Sequence, residues 1–383
     1  MMSSRVLFVC HTGSISGAEL VLLDLVRPWI GQSALLFEDG PLHQALAARG
    51  LNVKVSPWGS GLNDVRRDSS FVKVVPAAGA MLGIVAEVAR FARRHDVVYA
   101  NSQKAFVLSA IAAKLARRPL IWHLHDIISP AHFGRMQRRV QVMLANHCTI
   151  KVVVPSKAAA DAFVAEGGRK ELVAIVPNGL DIPPETQTSA ELRRELDLPQ
   201  GPLVGVFSRL AEWKGQHVVL RALAKAPGVS CILAGSALFG EETYEQRLRQ
   251  MVGDLDIADR VHFLGQRNDV PRLMRAVDAV IHPSIDPEPF GRTLVEAMLA
   301  EVPVIATDAG AASDILEDGK AGTLVPPDDP DAMAHAIRNA MSPSPAHAEQ
   351  IRHAAARARS HYSVGQMLDA TSGLIRQVAG EKA

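Results

Sequence analysis

Two glutamates, Glu288 and Glu296, stand eight residues apart in the stretch DPEPFGRTLVEAM, residues 286–298, with a Phe-Gly turn between them. The preceding run AVIHPS, residues 279–284, has the apolar, β-branched character of a strand, and a helix is expected from about Arg292. Glu288 then lies in the loop at the strand's carboxyl end, and Glu296 roughly 7 Å further along the helix axis. Gly291 permits close backbone approach, and the unpaired N–H groups of a helix start favour an anion such as a diphosphate. A carboxylate about 4 Å from that anion would be repelled by roughly 4 kcal/mol at an effective dielectric of 20. The two glutamates are therefore expected to flank the phosphates, accepting hydrogen bonds from hydroxyls worth roughly 1.5–3 kcal/mol apiece. A sugar, a diphosphate and a ribose in series, the layout of a nucleotide sugar, meets both demands.

The counter-charges are expected from GVFSRLAEWKG, residues 205–215, where Arg209 and Lys214 follow another strand. Arginine forks onto phosphate oxygens, and lysine supplies a compact charge to a departing group. Either alone reads as an ordinary loop cation; the joint pattern carries the assignment. In CHTGSISGAEL, residues 10–20, Gly13 and Gly17 are four apart and no third glycine opens the helix, which sets aside a G-x-G-x-x-G loop and a nicotinamide cofactor. IWHLHDI, residues 121–127, places His125 at a strand's carboxyl end, where ligands of open α/β sheets bind, with Asp126 able to orient it or cap the next turn. Asp254 and Asp256 have an Asp-x-Asp spacing, but they precede the strand-like RVHFLG in an ordinary helix-to-strand loop. With Arg209 and Lys214 supplying cations, no catalytic metal and no other cofactor is expected.

These residues need two scaffolds. A chain of 383 residues, 48% hydrophobic, exceeds what one core usually supports. VLFVC, SALLFE, VKVSP, DVVYA, LIWHLH, TIKVVVPS and LVAIVP recur in the first half with helix-like stretches such as GAELVLLDLVRPWI and KAFVLSAIAAKLARR between them. PLVGVFSR, SCILAG, RVHFLG, AVIHPS and PVIATD repeat the plan in the second. The alternation predicts an α/β chain of two Rossmann-like domains whose parallel sheets face each other across a cleft. The boundaries are read as 1–182 and 183–361, with a hinge in the Pro-Pro and polar tract near residues 181–190, followed by an amphipathic helix within 362–383. VVPAAGAMLGIVAEVARFARR, residues 74–94, is interrupted by proline, two glycines and Glu87, which predicts a buried amphipathic helix rather than a membrane span. The five-residue apolar run near the N-terminus is too short for a signal-peptide core, and three scattered cysteines, Cys10, Cys148 and Cys231, suit a reducing cytosol.

EPFGRTLVEAM, SRLAEWKG at 208–215, VPNGLD at 176–181, FLGQRNDVPRLMRAVDAVIHPS at 263–284 and SGAEL at 16–20 together resemble the retaining nucleotide-sugar glycosyltransferases of family four, which have the GT-B architecture. The resemblance covers nearly the whole chain, and the first stretch matches the family's Glu, seven residues, Glu signature. It implies that Glu288 binds donor-sugar hydroxyls and Glu296 the ribose, and that Arg209 and Lys214, helped by backbone N–H groups of Phe290, Gly291, Arg292 and Thr293, stabilise the departing diphosphate. It further implies that Gly17 lies near the diphosphate, although the family's second glycine is Ser16 here, that the backbone of Gln266 and Arg267 lines the base, and that His125 lies beside the donor sugar. The family transfers sugar with retention, by front-side attack and without an enzyme nucleophile. Its terminal helix crosses back to an acceptor-side first domain. The expected reaction is transfer from a UDP or GDP sugar to a glycan, lipid-linked or small-molecule acceptor, in bacterial cell-surface polysaccharide or glycolipid synthesis. A nucleotide-sugar 2-epimerase, which needs acids and bases around the sugar C2, and a non-catalytic sugar-nucleotide sensor are the alternatives.

Residues 1–180 hold 21 Lys and Arg against 12 Asp and Glu, a net +9, whereas the remainder holds 20 against 28, a net −8. A basic half can approach an anionic membrane, with Arg135, Arg138 and Arg139 as one candidate surface, or an acidic substrate, and scattered solvated charge is the alternative; the location expected is the cytoplasm, with peripheral contact at the inner membrane face as one reading. No nucleic-acid partner is expected.

Overall fold

Seven parallel strands build the first sheet, in the order β3-β2-β1-β4-β5-β6-β7. They are β1 Val6–Cys10, β2 Ser33–Leu36, β3 Asn52–Val55, β4 Val97–Ala100, β5 Leu120–His123, β6 Lys151–Val154 and β7 Val173–Ile175. Six more build the second, β8 Leu203–Phe207, β9 Ser230–Ala234, β10 Val261–Gly265, β11 Ala279–His282, β12 Val304–Thr307 and β13 Thr323–Val325, in the order β10-β9-β8-β11-β12-β13. This computed structural model describes residues 4–59, 71–237, 240–342 and 344–380, with side chains of the helix Phe71–Ala92 described from residue 78 onward. Residues 1–3, which precede the N-terminal apolar run, and the end of the 362–383 segment therefore lie outside the described residues.

Parallel strands covered by helices on both faces read as unbroken apolar runs, and every residue of β1 and β8 is buried. Strand order reverses between β1 and β4 and again between β8 and β11, the switch points beyond whose carboxyl ends such sheets bind ligands. β13 escaped the sequence reading because it has three residues, with Thr323 exposed, and so no apolar run.

The chain divides into two compact units, Met1–Gly179 with Val364–Ala383, and Leu180–Ser363. In the first unit the helix Phe71–Ala92 buries Ile84, Val88 and Ala92 at four-residue spacing, together with Val85 and Ala89. Trp122 stacks on Phe106 with centroids 4.0 Å apart and meets the edge of Phe163. On the other face of the sheet the helix Val364–Ala379 adds Val364, Met367 and Ile375 to the core around Val6, Phe8 and Tyr99. The helix read over GAELVLLDLVRPWI ends at Leu25, because Pro28 cannot continue the backbone ladder.

Residues 181–190 are not a free linker. Arg272 binds Glu185 and Glu195, each at 2.8 Å, and Arg275 donates to the Pro183 carbonyl at 2.9 Å, fastening the tract to the second unit. Among the described residues, no helix is long and apolar enough to cross a membrane.

Ile375 is fully buried. Ile375→Ala is expected to cost about 2–5 kcal/mol of first-unit stability, read as a lower urea midpoint.

Candidate functional site

Three loops of the second unit converge because glycines allow it. Gly215 has φ +70°, and a Cβ there would lie 2.0 Å from the Pro283 carbonyl oxygen. The loop after β8 therefore presses onto the loop after β11, and Ile285 N–H donates to the Trp213 carbonyl at 2.8 Å. Gly310 has φ +66°, and its Cβ would fall 2.3 Å from both the N and the O of Glu288. Ala311 N–H donates to the Glu288 carbonyl at 3.0 Å.

The result is a carboxylate gripped at both oxygens. Lys214 Nζ lies 2.6 Å from Glu288 Oε1, and His282 Nε2 lies 2.7 Å from Oε2, which also accepts from Ser284 Oγ at 2.9 Å. The side chains of Lys214 and Glu288 are 10% and 15% exposed, little enough for the pair to act at reduced dielectric. Burial alone would raise the Glu288 carboxyl, but Lys214 and His282 outweigh it and hold the group well below the ordinary carboxylate range.

Gly291, φ +76°, begins the helix Arg292–Leu299 with no side-chain cap, so first-turn N–H groups remain for a ligand. Thr293 Oγ1 bonds His282 Nδ1 at 2.9 Å. Phe290 is buried against Tyr362 with ring centroids 5.7 Å apart, so its contribution to a ligand is its backbone. Glu296 lies further along the helix, 3.7 Å from Arg292; burial raises its carboxyl, with Arg292 opposing. Arg292 Nη1 is buried without a hydrogen-bond partner among the described residues. The Arg209 guanidinium lies 5.5 Å from the Trp213 ring centroid, and Lys214 Nζ lies 4.2 Å from the same ring. The Arg267 side chain is taken up by a two-point pair with Asp269, at 2.8 and 2.6 Å, which leaves its backbone.

Polar groups also gather at the carboxyl ends of β1, β4 and β5 in the first unit. Gly17 opens the helix Gly17–Leu25, and a Cβ there would meet nothing within 4 Å, so no packing in the chain demands glycine. Ser16, instead of a second glycine, precedes that helix and donates both its hydroxyl and its backbone N–H to the Glu19 carboxylate. His125 Nε2 bonds Asn101 Oδ1 at 3.1 Å, and Asn101 Nδ2 donates to the Ala18 carbonyl at 3.2 Å. Because the Asn101 amide nitrogen is spent on Ala18, its oxygen faces His125, which assigns the proton to Nε2 and leaves Nδ1 as an acceptor. Asp126 does not orient His125; it accepts from Gln103 at 3.0 Å. His123 stacks 3.8 Å from His125 and bonds the Tyr99 hydroxyl at 2.8 Å. Burial holds His125 down to about 3, and burial with the neighbouring His125 drives His123 well below its ordinary value.

The arginine cluster is smaller than the sequence suggested. Arg138 is 13% exposed and paired with Glu166 at 2.9 Å, because its helix face turns inward, while Arg135 and Arg139 are exposed. Asp254 ends the helix Glu242–Asp254 and Asp256 follows in a left-handed turn, φ +53°. No group of three or more His, Cys, Asp or Glu among the described residues is arranged to hold a metal ion.

The family models described as "Glycosyltransferase Family 4" and "Glycosyl transferases group 1" match residues 42–182 and 188–358. The crystal structure of Anabaena HepE in complex with UDP is 38% identical, with a TM-score of 0.86 over 97% of this chain and 100% of that one. The chain belongs to glycosyltransferase family 4. Its two Rossmann-like units are the GT-B architecture. HepE in complex with UDP-glucose is 37% identical, over 98% of this family 4 chain and 100% of that one, at the same TM-score of 0.86. The lipopolysaccharide core biosynthesis mannosyltransferase LpsB of Rhizobium meliloti is 32% identical over 54% of this chain and 62% of that protein. The D-inositol 3-phosphate glycosyltransferase of Mycobacterium marinum is 35% identical over 48% of this chain and 40% of that protein. The chain thus spans less than two thirds of the length of these two curated relatives.

His282 and Ser284 were missed as site residues. Their signal was position, at the carboxyl end of a switch-point strand, which had been applied to His125 but not to His282.

His123 and His125 stay neutral in the folded chain, whereas unfolding lets them take up protons below about pH 6.5. The stability this gives is present above pH 6.5 and lost as pH falls toward 3. The urea midpoint of the first unit is expected to drop between about pH 7.5 and 5, and to drop less in His125→Gln.

Proposed function

We propose that this protein transfers a sugar, with retention and without a metal, from a UDP-sugar to an acceptor hydroxyl. The observation that carries the reading is the ionised Glu288, held by Lys214 and His282 beside a helix start that Gly291 leaves uncapped. The near-full-length likeness to HepE, solved with UDP and with UDP-glucose, supports uracil as the base and a glucose-type sugar.

In this reading Glu288 accepts hydrogen bonds from donor-sugar hydroxyls and Glu296 from the ribose. The first-turn N–H groups from Phe290 to Thr293, with Arg209 and Lys214, take the growing charge of the departing diphosphate, the dominant catalytic contribution. Lys214 then stands between the Glu288 carboxylate and the phosphates, a cation shared by two anions. The Arg267 backbone lines the base. Gly17 leaves open room where the diphosphate or acceptor approaches, and His125 accepts from a sugar hydroxyl through Nδ1.

The acceptor is proposed to be a glycan or lipid-linked alcohol of the cell surface, reached from the cytoplasmic side of a membrane. Every exposed large hydrophobic residue among the described ones falls in the first unit. Met136 and Met143, 74% and 52% exposed, share the helix Arg135–Cys148 with exposed Arg135 and Arg139, a pairing of apolar and cationic side chains suited to anionic headgroups.

UDP-glucose is expected to raise the melting temperature, and ADP and GDP sugars to do so less. Glu288→Ala, Arg209→Ala and Lys214→Ala are each expected to lower turnover of the donor about 100-fold or more in folded protein; full activity in any of the three would remove that residue from the site. On vesicles, binding is expected with phosphatidylglycerol at low salt and not with phosphatidylcholine, and to weaken in Met136→Ser/Met143→Ser. Equal partitioning onto both lipids would refute the membrane contact.

A further inference from the structure

We propose that His282 is a positioning residue of the donor site: it fixes Glu288 Oε2 and the Thr293 hydroxyl together, so that Oε1 alone is presented to the sugar. This rests on the transfer reading above. His282 is the last residue of β11 and is 4% exposed. Its Nε2 lies 2.7 Å from Glu288 Oε2 and its Nδ1 lies 2.9 Å from Thr293 Oγ1. A carboxylate can only accept, so a proton stands on Nε2, and Nδ1 bonds the threonine hydroxyl, accepting from it in a neutral ring and donating to its oxygen in an imidazolium. Ser284 completes the hold on Oε2 at 2.9 Å, and its own carbonyl accepts from Thr307 Oγ1 at 2.5 Å.

The two ends of this bridge serve different parts of the donor. Glu288 belongs to the sugar, and Thr293 is the second residue of the helix whose first turn faces the diphosphate. One imidazole therefore sets the spacing between the sugar-gripping carboxylate and the phosphate-binding turn. Oε1 is left with Lys214, the side chain that can turn between carboxylate and phosphate. Gly291 answers to its φ of +76° and to Leu294, since a Cβ there would lie 3.1 Å from Leu294 Cδ1 but at ordinary contact distance, 3.5 Å, from His282 Nε2. A side chain that merely filled the core would affect folding and all ligands alike. A positioning residue affects the step that needs Oε1 in place.

The test measures hydrolysis of UDP-glucose without acceptor, together with the Kd of UDP, which has no sugar for Glu288 to grip. His282→Ala is expected to lower kcat about 10- to 100-fold and to change the UDP Kd less than about threefold. His282→Gln, whose amide N–H reaches toward Glu288, is expected to recover most of that loss. Thr293→Val is expected to lower kcat more mildly, and His282→Ala/Thr293→Val to be no worse than His282→Ala. The proposal is overturned if His282→Ala keeps wild-type kcat, if glutamine rescues nothing, or if UDP binding falls in step with kcat. Should the alanine variant not fold, as judged by circular dichroism, a folded Thr293→Val variant that keeps wild-type kcat, or whose UDP binding falls in step with its kcat, overturns it instead. A wild-type protein that is not stabilised by UDP or UDP-glucose defeats the transfer reading first, and this inference falls with it.

Discussion

A carboxylate that must stay ionised where little water reaches it sets the terms for the second unit. Moving such a group from water is penalised by several kcal/mol, and the penalty is offset only by close partners in good geometry. Glu288 has them at 2.6 and 2.7 Å. Holding three loops to that tolerance explains why Gly215 and Gly310 sit at positive φ with another backbone where a side chain would be. Alanine at either position would collide with a carbonyl or with the Glu288 peptide itself, so these glycines serve the carboxylate as much as the fold.

A buried ion pair of this kind is weak evidence for stability, because hydrophobic residues of similar volume often do as well. Its presence calls for an account in terms of ligands. The same reasoning separates the pair from Arg272 with Glu185 and Glu195 and from Arg138 with Glu166. Those arginines spend their donors on carboxylates and on neighbouring groups, Arg138 also on the Phe133 carbonyl and Arg272 also on Gln187, and what they do is pin chain segments in place. Lys214 differs because it stands beside a helix start with undischarged N–H groups, where a second anion would find it.

Much of this was legible in the sequence because backbone chemistry writes itself in residue types. Central strands buried on both faces are apolar throughout and edge strands keep β-branched residues, so twelve of the thirteen strands announced themselves; β13 did not, because its three residues begin with an exposed Thr323 and lack the apolar flanks that made the equally short β7 visible. Gly291 and the loop cations could be found from spacing alone. Side-chain partnership could not. Whether an arginine in a basic run is free depends on which helix face it occupies, and Arg138 faces Glu166. The polar tract around the Pro-Pro pair reads as a hinge by composition, and what holds it is Arg272, 87 residues from Glu185 in sequence, a contact that no local pattern encodes. His125 is visible at its strand end, with Asp126 able to orient it or cap the next turn, but its partner is Asn101, which follows the adjacent strand and is not the next residue along.

Although the two sheets share one strand order, their carboxyl ends are chemically opposed, and the opposition bears on how a proton could move during transfer. The second unit concentrates full charges, Lys214, Glu288 and Arg209. At the strand ends of the first, His123 and His125 are kept neutral by burial, His125 down to about 3. A general base works best with a pKa near the ambient pH. His125, with Nε2 committed to Asn101 and so low an affinity for protons at Nδ1, is suited to accept a hydrogen bond and poorly suited to accept a proton. In the transfer proposed above, the departing phosphate oxygen on the sugar's own face is a better proton acceptor for the attacking hydroxyl than His125. Handing the proton to that oxygen brings acceptor and leaving group to the same side of the anomeric carbon. Neutral histidines at these strand ends are what the front-side transfer proposed above requires of them.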